Sequence, residues 1–178
     1  MEKNRQGLLH IYCGDGKGKT SAAVGMAVRA AGCGMKVLVV RFLKTENSGE
    51  VEVLRSIPGI TVTPCDRTFG FVFRMTEEQK QEAALYYQSR FEAAAKKAVQ
   101  GQYDLLILDE ILASCNYGMV RETSVVEFLQ NRPEKLEVVL TGRNPSETFL
   151  ELADYVSEIC MRRHPYEKGI PARRGIEF

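Results

Sequence analysis

Neither sign of charge is in excess in this sequence, which carries 24 lysine and arginine residues against 23 aspartate and glutamate residues, for a formal net charge of +1. Proteins that hold nucleic acid through its phosphates rely on a strong positive field, because binding is driven by counterion release. We therefore expect no nucleic-acid partner. An anion site in this chain has to be built locally from a few residues.

Long apolar runs and paired cysteines are also missing. No apolar stretch approaches the roughly 20 residues that span a bilayer, and residues 1–7 are polar and charged where an export signal has an apolar centre. The five cysteines lie far apart without a C-x-x-C pair, which argues against a disulfide framework and a thiolate metal site. The sequence predicts a cytoplasmic protein with no membrane partner.

Short, nearly continuous apolar runs are present instead, and they are typical of strands buried on both faces of a parallel sheet. The predicted strands cover residues 8–13, 36–42, 60–65, 103–109, 136–141 and 155–161. Parallel strands need helical crossovers, and the segments between the runs suit helices. With 178 residues, the chain is expected to form a single α/β domain over residues 1–178, with a mostly parallel sheet of about six strands and helices on both faces.

Three helices have recognisable start signals. The clearest covers residues 76–100 and opens with the capping box T-E-E-Q. A second is expected over residues 19–31, and a third is predicted to begin with Asn144 as N-cap and Pro145 at the first helical position. Two stretches are expected to be loops, residues 43–50 and 66–75.

A glycine-rich segment, GDGKGKT at residues 14–20, lies between the first predicted strand and the next helix. Backbone N–H groups at such a junction converge on phosphate, and the helix dipole favours negative charge there. Gly18, Lys19 and Thr20 match the end of the P-loop pattern, in which the lysine contacts phosphate and the hydroxyl binds Mg²⁺. The sequence therefore predicts nucleotide binding on the three-layer fold of P-loop NTPases.

The segment departs from the pattern at its first position, where Cys13 replaces a glycine. Gly14 and Gly16 are expected to supply the backbone freedom that the missing glycine would give. Lys17 and Lys19, together with a divalent cation, would offset most of the roughly four negative charges of a nucleoside triphosphate. The alternative is a glycine-rich turn with exposed lysines, which the flanking strand and helix disfavour.

Two acidic residues, Asp109 and Glu110, end the apolar run LLILDE. A P-loop protein needs a carboxylate for its metal ion, usually at the end of a neighbouring strand. Thr20, Asp109 and Glu110 are therefore the predicted Mg²⁺ site. The alternative is an acidic strand end that caps the following helix.

A catalytic acid or base is harder to find. The chain has two histidines, His10 inside the first predicted strand and His164 in the C-terminal tail. His10 is interpreted as a core or strand residue. The segment TGRN at residues 141–144 stands where a guanine-binding switch would carry N-K-x-D, which disfavours a GTPase. No residue is assigned as acid or base.

An ordered set of segments resembles one known family. The segments are GDGKGKTSAA, VVRFLKT followed by SGE, FGFVF, LLILDEI, VVLTGRNP and RHPYEKGIPARRGIEF. Together they resemble the P-loop type of cob(I)alamin (corrinoid) adenosyltransferase, the cob(I)yrinic acid a,c-diamide adenosyltransferase family, from about residue 7 to the C-terminus.

The resemblance implies that a Co(I) corrinoid attacks the 5′ carbon of ATP, forms a cobalt–carbon bond and releases triphosphate. It implies Mg²⁺ with ATP, and cobalamin, cobinamide or a precursor as the corrinoid substrate. The corrinoid is the nucleophile, which explains the missing base, and the protein positions the substrates and stabilises charge.

The resemblance also implies roles for individual residues. The residues implied to hold the triphosphate as a leaving group are Gly14, Asp15, Gly16, Lys17, Gly18, Lys19 and Thr20, with Lys19 and Lys17 as its stabilisers. Arg29 and Arg143 are candidates for polar contacts around the nucleotide, the alternative being surface salt bridges. Phe71 and Phe73 match an aromatic pair expected to lie against the corrin, and relatives carry Trp at the second position. Both phenylalanines are alternatively core anchors.

The implied partners are a second copy of the chain, in a homodimer, and a flavoprotein reductant. The basic tail at residues 162–174 is implied to be an ordered segment near the active site or a dimer contact. Two other classes of protein remain open at this point. One is an ATP-hydrolysing P-loop enzyme or kinase, and the other is a non-catalytic nucleotide or corrinoid carrier.

Overall fold

The computed structural model of the protein describes residues 5–70 and 72–177. The strands are β1 (Leu9–Cys13), β2 (Val37–Arg41), β3 (Ile60–Val62), β4 (Leu105–Asp109), β5 (Glu137–Thr141) and β6 (Tyr155–Glu158). The α-helices are α1 (Lys19–Gly32), α2 (Glu50–Ser56), α3 (Glu77–Gln100), α4 (Ile111–Asn116), α5 (Glu122–Gln130) and α6 (Glu147–Leu152). Short 3₁₀ helices cover Val72–Arg74 and Pro165–Lys168. No helix within the described ranges is long and apolar enough to cross a membrane.

The six strands form one sheet in the order β3-β2-β4-β5-β1-β6, and every neighbouring pair is parallel. This confirms the predicted parallel α/β sheet. The carboxyl ends of all six strands meet at one edge, where open α/β sheets bind their ligands. The loops that follow β1, β2, β4 and β5 therefore lie beside one another.

The sheet is covered on both faces except at the edge strand β6, which ends at Glu158 and not at residue 161 and whose four residues are all exposed. The covering explains why the other strands read as continuous apolar runs. Leu38 and Val40 face the core cluster formed with α3, α4, α5 and α6. Val37 and Val39 face the opposite cluster, formed with α1 and α2. Successive strand residues point to opposite faces, so a strand between two helical layers needs apolar side chains at every position. The predicted three-layer arrangement is confirmed.

Helix α3 begins as the sequence predicts. The Thr76 hydroxyl accepts a hydrogen bond from the Gln79 backbone N–H at 3.3 Å, and the Gln79 side-chain oxygen accepts one from the Thr76 N–H at 2.9 Å. The two bonds satisfy donors that a helix N-terminus otherwise leaves unpaired.

The third strand is shorter than the predicted 60–65. Arg90 of α3 is buried and donates to the carbonyls of Thr63 at 3.2 Å and Pro64 at 2.7 Å. Proline has no N–H to donate to a ladder. The last backbone hydrogen bond to β2 is donated by the Thr63 N–H to the Val39 carbonyl at 2.9 Å, and the chain beyond it is held by the arginine.

Two helix predictions need correction. Asn144 does not cap α6, because it has a φ of 48° and its carbonyl accepts a hydrogen bond from the Asn116 side chain. Ser146 is the N-cap instead, and its hydroxyl accepts from the Phe149 N–H at 3.4 Å. The loop expected over residues 43–50 ends one residue early, because α2 begins at Glu50. Helices α2, α4 and α5 are not among the three helices with start signals in the sequence.

Candidate nucleotide-binding site

The P-loop, residues 14–20, joins β1 to α1 at the carboxyl edge of the sheet. Gly14 and Gly18 have φ values of 100° and 127°, a region that side chains other than glycine rarely adopt. A Cβ atom on Gly14 or Gly16 would lie 2.5 or 2.6 Å from the Ile159 carbonyl oxygen. Glycine is thus required both for the turn and for the close approach of the chain that follows β6.

The chain that follows β6 is bonded directly to the P-loop. The Gly16 N–H donates to the Ile159 carbonyl at 2.7 Å, and the Ile159 N–H donates to the Cys13 carbonyl at 2.9 Å. The Asp15 carboxylate accepts from the Met161 N–H at 2.9 Å, which lowers the pKa of Asp15. The carboxylate thus ties the P-loop to the C-terminal part of the chain, a function that the sequence did not reveal.

The two P-loop lysines have different partners. Lys19 is buried and donates to the carbonyls of Gly14 and Gly16, each at 2.8 Å, and burial lowers its pKa. Lys17 is exposed and forms an ion pair with Glu177 at 3.6 Å. Hydrogen bonds from Arg173 lower the pKa of Glu177 to about 2. The C-terminal residues therefore lie beside the P-loop and place a carboxylate against its exposed lysine.

A buried carboxylate organises the centre of the site. Asp109, 2% exposed, accepts hydrogen bonds through Oδ1 from the Thr20 hydroxyl at 3.0 Å and from the Thr141 hydroxyl at 2.6 Å. The Lys44 ammonium donates to Thr20 Oγ1 at 2.8 Å and to Asp109 Oδ2 at 2.5 Å. The structure thus brings together Thr20 and Asp109, as predicted, and adds two residues that the sequence analysis missed.

The positions of Lys44 and Thr141 relative to the strands could have indicated that they belong to the site. Lys44 follows β2 closely and Thr141 ends β5, and these strands are the two neighbours of β4 in the sheet. Polar residues at the carboxyl ends of adjacent parallel strands meet at one edge. The order of the strands is needed before that signal can be used.

Glu110 lies next to this centre and is mostly buried. Its backbone has a φ of 63° at the start of α4, and its N–H donates to the Thr141 hydroxyl at 2.9 Å. Burial, and then the nearby Asp109 charge, raises the pKa of Glu110. Within the described ranges no hydrogen-bond donor contacts its carboxylate. Glu110 therefore offers oxygen ligands that a cation could use.

The residues present fit a Mg²⁺ ion that arrives with a nucleotide. Thr20 Oγ1 and Asp109 Oδ1 are 3.0 Å apart, and adjacent ligands of an octahedral ion with bonds of about 2.1 Å are also separated by roughly 3.0 Å. The positively charged Lys44 ammonium already donates hydrogen bonds to both residues. In the described part of the chain no cluster of three or more His, Cys, Asp or Glu residues forms a metal site. Phosphate oxygens and water would have to complete the coordination, as is usual for Mg²⁺.

Open space flanks the P-loop on both sides. A cleft of about 620 Å³ is bounded by Thr20, Val24, Lys44, residues 48–50 and residues 175–177. A second cleft, of about 500 Å³, is bounded by Lys17, residues 160–165 and Arg173. Each has the size of a small-molecule site.

The aromatic loop, residues 66–75, is held by α3 at its base and exposes its tip. The Phe69 ring packs against Tyr86 and Tyr87 with centroids 5.5 and 5.7 Å apart. Burial, together with a hydrogen bond to Asp66, raises the pKa of Tyr86 to about 12. Phe73 is 78% exposed, so it is not a core anchor. Phe71, the other predicted aromatic residue, lies outside the described residues.

The aromatic loop is connected to the end of β4, at the backbone of Asp109, by a short chain of contacts. The Phe42 N–H donates to the Asp109 carbonyl at 2.9 Å. The Phe42 ring lies 6.3 Å from the Tyr87 ring, which in turn contacts Phe69. The P-loop centre and the aromatic loop therefore belong to one packed region.

Other predicted residues are distributed unevenly around the site. Arg143 reaches the P-loop, with Nη2 at 3.5 Å from the Asp15 carbonyl. Arg29 is exposed in the last turn of α1, about 15 Å along the helix axis from the P-loop, and the structure does not bring it to the other predicted residues. His10 pairs with Glu137 at 2.5 Å within the sheet, in agreement with the expected strand role. His164 caps the 3₁₀ helix Pro165–Lys168.

The sequence was compared with those of known proteins. A family model described as ATP:corrinoid adenosyltransferase BtuR/CobO/CobP matches residues 5–178. The corrinoid adenosyltransferases of Pseudomonas aeruginosa and Escherichia coli K12 are each 33% identical over 177 residues, which cover 99% of this chain and 86% and 88% of those proteins. The corrinoid adenosyltransferase CobA of Salmonella typhimurium is 30% identical over 177 residues, covering 99% of this chain and 88% of that protein.

Replacing Gly16 with alanine is expected to weaken ATP binding at least tenfold and to lower the free energy of unfolding by about 1–3 kcal/mol. The reason is the 2.6 Å approach of the new Cβ to the Ile159 carbonyl. Titration calorimetry and urea unfolding measure the two effects. The matched control is Gly25→Ala in α1, where a Cβ meets nothing within 4 Å, so stability should rise by about 0.5–1 kcal/mol. Equal behaviour of the two variants would contradict the prediction.

Replacing Glu110 with glutamine is expected to stabilise the nucleotide-free protein at neutral pH. Since the pKa of Glu110 is raised in the folded state, its ionisation disfavours folding, and wild-type stability is lost as the pH rises through the folded-state pKa. The advantage of Glu110→Gln should therefore vanish below the unfolded-state pKa of about 4.3. Urea unfolding at pH 4 and pH 7.5 measures it. A variant less stable than wild type at pH 7.5 would refute the expectation.

Proposed function

The chain belongs to the ATP:corrinoid adenosyltransferase family, and we propose that its P-loop holds the triphosphate of ATP as the leaving group of the transfer. The enzyme transfers the 5′-deoxyadenosyl group of ATP to the cobalt of a corrinoid. A Co(I) electron pair forms the bond to C5′, the C5′–O bond breaks, and the triphosphate departs with that bonding pair. Catalysis then depends on holding the two substrates in line and on stabilising the departing charge.

Lys19 and Lys17 are proposed to supply that stabilisation, together with the backbone N–H groups of residues 14–20. Lys19 Nζ now lies on the carbonyls of Gly14 and Gly16, in the concave side of the loop. Phosphate oxygens are stronger acceptors than neutral carbonyls, so the ammonium would exchange one for the other when ATP binds. In the same way, Lys17 would exchange its ion pair with Glu177 for a contact with a phosphate oxygen.

Thr20, Asp109 and Glu110 are proposed to hold Mg²⁺. The ion supplies positive charge to the phosphate oxygens when it is bound. The hydroxyl–carboxylate spacing and the open acceptors of Glu110 support this assignment. Arg143, beside Asp15, is proposed as a further positive charge at the nucleotide.

The observation that carries the proposal is the contact chain from Asp109 through Phe42 and Tyr87 to the aromatic loop. A nucleotide hydrolase needs no aromatic loop connected to the strand end beside its P-loop. Phe73 is an exposed aromatic residue of that loop, and its planar ring is suited to pack against another planar group. We propose that Phe73, with Phe71, packs against the corrin face and excludes water from the cobalt.

An acid–base residue is not required, and the histidines are engaged elsewhere, His10 with Glu137 and His164 at a helix cap. In a hydrolase, Glu110 would be the group suited to activate water, because its pKa is raised and its carboxylate is open. The two reactions differ in their products, which are triphosphate for the transferase and ADP with phosphate for the hydrolase.

The proposal extends to the setting of the enzyme. We propose one domain over residues 1–178, a homodimer, a flavoprotein as electron donor, and a cytoplasmic location. All five cysteines are free thiols, which supports a reducing compartment. Cobalamin, cobinamide and their precursors are the proposed class of acceptor.

Under anaerobic conditions, cob(I)alamin and Mg-ATP should yield adenosylcobalamin and triphosphate in equal amounts. Lys19→Ala should lower kcat by about 10²-fold or more, because it removes a charge that stabilises the leaving group. The loss of Co(I) absorbance and anion-exchange separation of the phosphates measure both. ADP and phosphate without a cobalt–carbon bond would overturn the proposed function.

Phe73→Ala should raise the KM for cob(I)alamin about tenfold and leave the KM for ATP unchanged, since an aromatic contact contributes about 1–2 kcal/mol. Phe73→Trp should restore the lower value. Leu85→Ala on α3 is the matched control, because Leu85 is also exposed (75%). Equal effects of Phe73→Ala and Leu85→Ala would remove Phe73 from the corrinoid site.

A further inference from the structure

We propose that Lys44 is the resident cation of the metal site. Its ammonium holds Thr20 and Asp109 in the nucleotide-free enzyme and leaves them when Mg-ATP binds. The inference rests on the Mg²⁺ site proposed above and adds a residue to it. Lys44 acts as a positioning residue, because it works through Thr20 and Asp109 rather than on the reacting atoms.

The backbone around Lys44 directs its side chain toward Thr20 and Asp109. Leu43 has a φ of 53°, a conformation that a residue other than glycine adopts at an energetic cost and that commonly occurs at functional sites. Arg41 fixes the loop from the other side, donating to the Thr45 carbonyl at 3.0 Å and to the Glu46 carboxylate at 3.0 Å. Arg41 itself is buried at the end of β2. The residues on both sides of Lys44 are thus held in place.

The position of Lys44 is explained by the charge that it meets. Asp109 is almost fully buried, and a buried carboxylate without a cation is strongly disfavoured. Among the described residues, Lys44 is the only cationic side chain in contact with Asp109. Lys19, the other lysine at the centre, is turned toward the P-loop carbonyls. Lys44 therefore supplies the countercharge.

The ammonium and a metal ion compete for the hydroxyl oxygen of Thr20. Lys44 Nζ is 2.8 Å from Thr20 Oγ1 and 2.5 Å from Asp109 Oδ2, while Mg²⁺ approaches its ligands to about 2.1 Å. A metal ion on Thr20 Oγ1 and Asp109 Oδ1 would lie beside an ammonium on Thr20 Oγ1 and Asp109 Oδ2, and two cations so close repel each other. The metal can enter only when the ammonium leaves.

A bound triphosphate gives the displaced ammonium a new partner. Lys44 and Thr20 both line the cleft of about 620 Å³ beside the P-loop, and a lysine side chain is flexible enough to swing toward phosphate in it. The metal alone has to displace an ion pair, whereas metal with nucleotide replaces that pair with another. Lys44 therefore makes metal binding depend on the nucleotide.

The test uses Mn²⁺ alone as a probe, with no nucleotide, and follows free Mn²⁺ by electron paramagnetic resonance. Lys44→Met should bind Mn²⁺ at least tenfold more tightly than wild type, because the competing charge-assisted bonds are gone. The Lys44→Arg variant should bind Mn²⁺ as weakly as wild type, because arginine keeps the positive charge. Lys17→Met is the matched control, because it removes one positive charge from the P-loop without touching Thr20 or Asp109.

Equal Mn²⁺ affinity in wild type and Lys44→Met, or an equal gain in Lys17→Met, would overturn the proposal. Adding Asp109→Asn to Lys44→Met should abolish the gain, and a gain that persists would overturn the metal site as well. Failure of adenosylation with the expected Mn²⁺ pattern would instead overturn the function and leave the role of Lys44 intact. If Lys44→Met does not fold, a crystal structure of wild type with Mg-ATP decides. The Lys44 ammonium should then be out of hydrogen-bonding distance of Asp109, and an ammonium still bonded to it would refute the proposal.

Discussion

The buried carboxylate of Asp109 is the constraint on which the rest of this site depends. It ends the central strand β4, with β2 and β5 as its neighbours. A charge in that position has to be compensated, and the adjacent strand ends supply a hydroxyl from Thr141 and an ammonium from Lys44. The P-loop hydroxyl of Thr20 completes the arrangement. One carboxylate thereby sets the relative positions of the loops that follow four parallel strands.

The three lysines around the P-loop each have a protein partner. Lys19 donates hydrogen bonds to backbone carbonyls, Lys17 forms an ion pair with Glu177, and Lys44 forms an ion pair with Asp109. Binding of Mg-ATP would therefore exchange partners instead of ordering free side chains, and this limits the entropy lost at the site. Preorganised charge is the main contribution that a protein can make when the nucleophile belongs to the substrate.

The sequence predicts those features that depend on neighbouring residues. The apolar runs, the capping box of α3 and the P-loop motif are local patterns, and the parallel sheet follows from their alternation. Lys44 and Thr141 were missed because they meet Asp109 across 65 and 32 residues of chain. The helix cap was misplaced for the same reason, since the side chain of Asn116, distant in sequence, binds the Asn144 carbonyl. The role of Asp15 also depends on a distant partner, Met161.

The contact between the P-loop centre and the aromatic loop bears on how the two substrates are aligned. Phe42 and Tyr87 are buried core residues, and they connect the end of β4 to Phe69 at the base of the loop. Close-packed interiors transmit displacement instead of absorbing it. The base of the loop therefore keeps a fixed position relative to Asp109, whereas Phe73 is exposed. In the proposed transfer, the phosphate end of ATP would be held near Asp109 while the exposed Phe73 met the planar acceptor, and both substrates have to be held in line for the reaction.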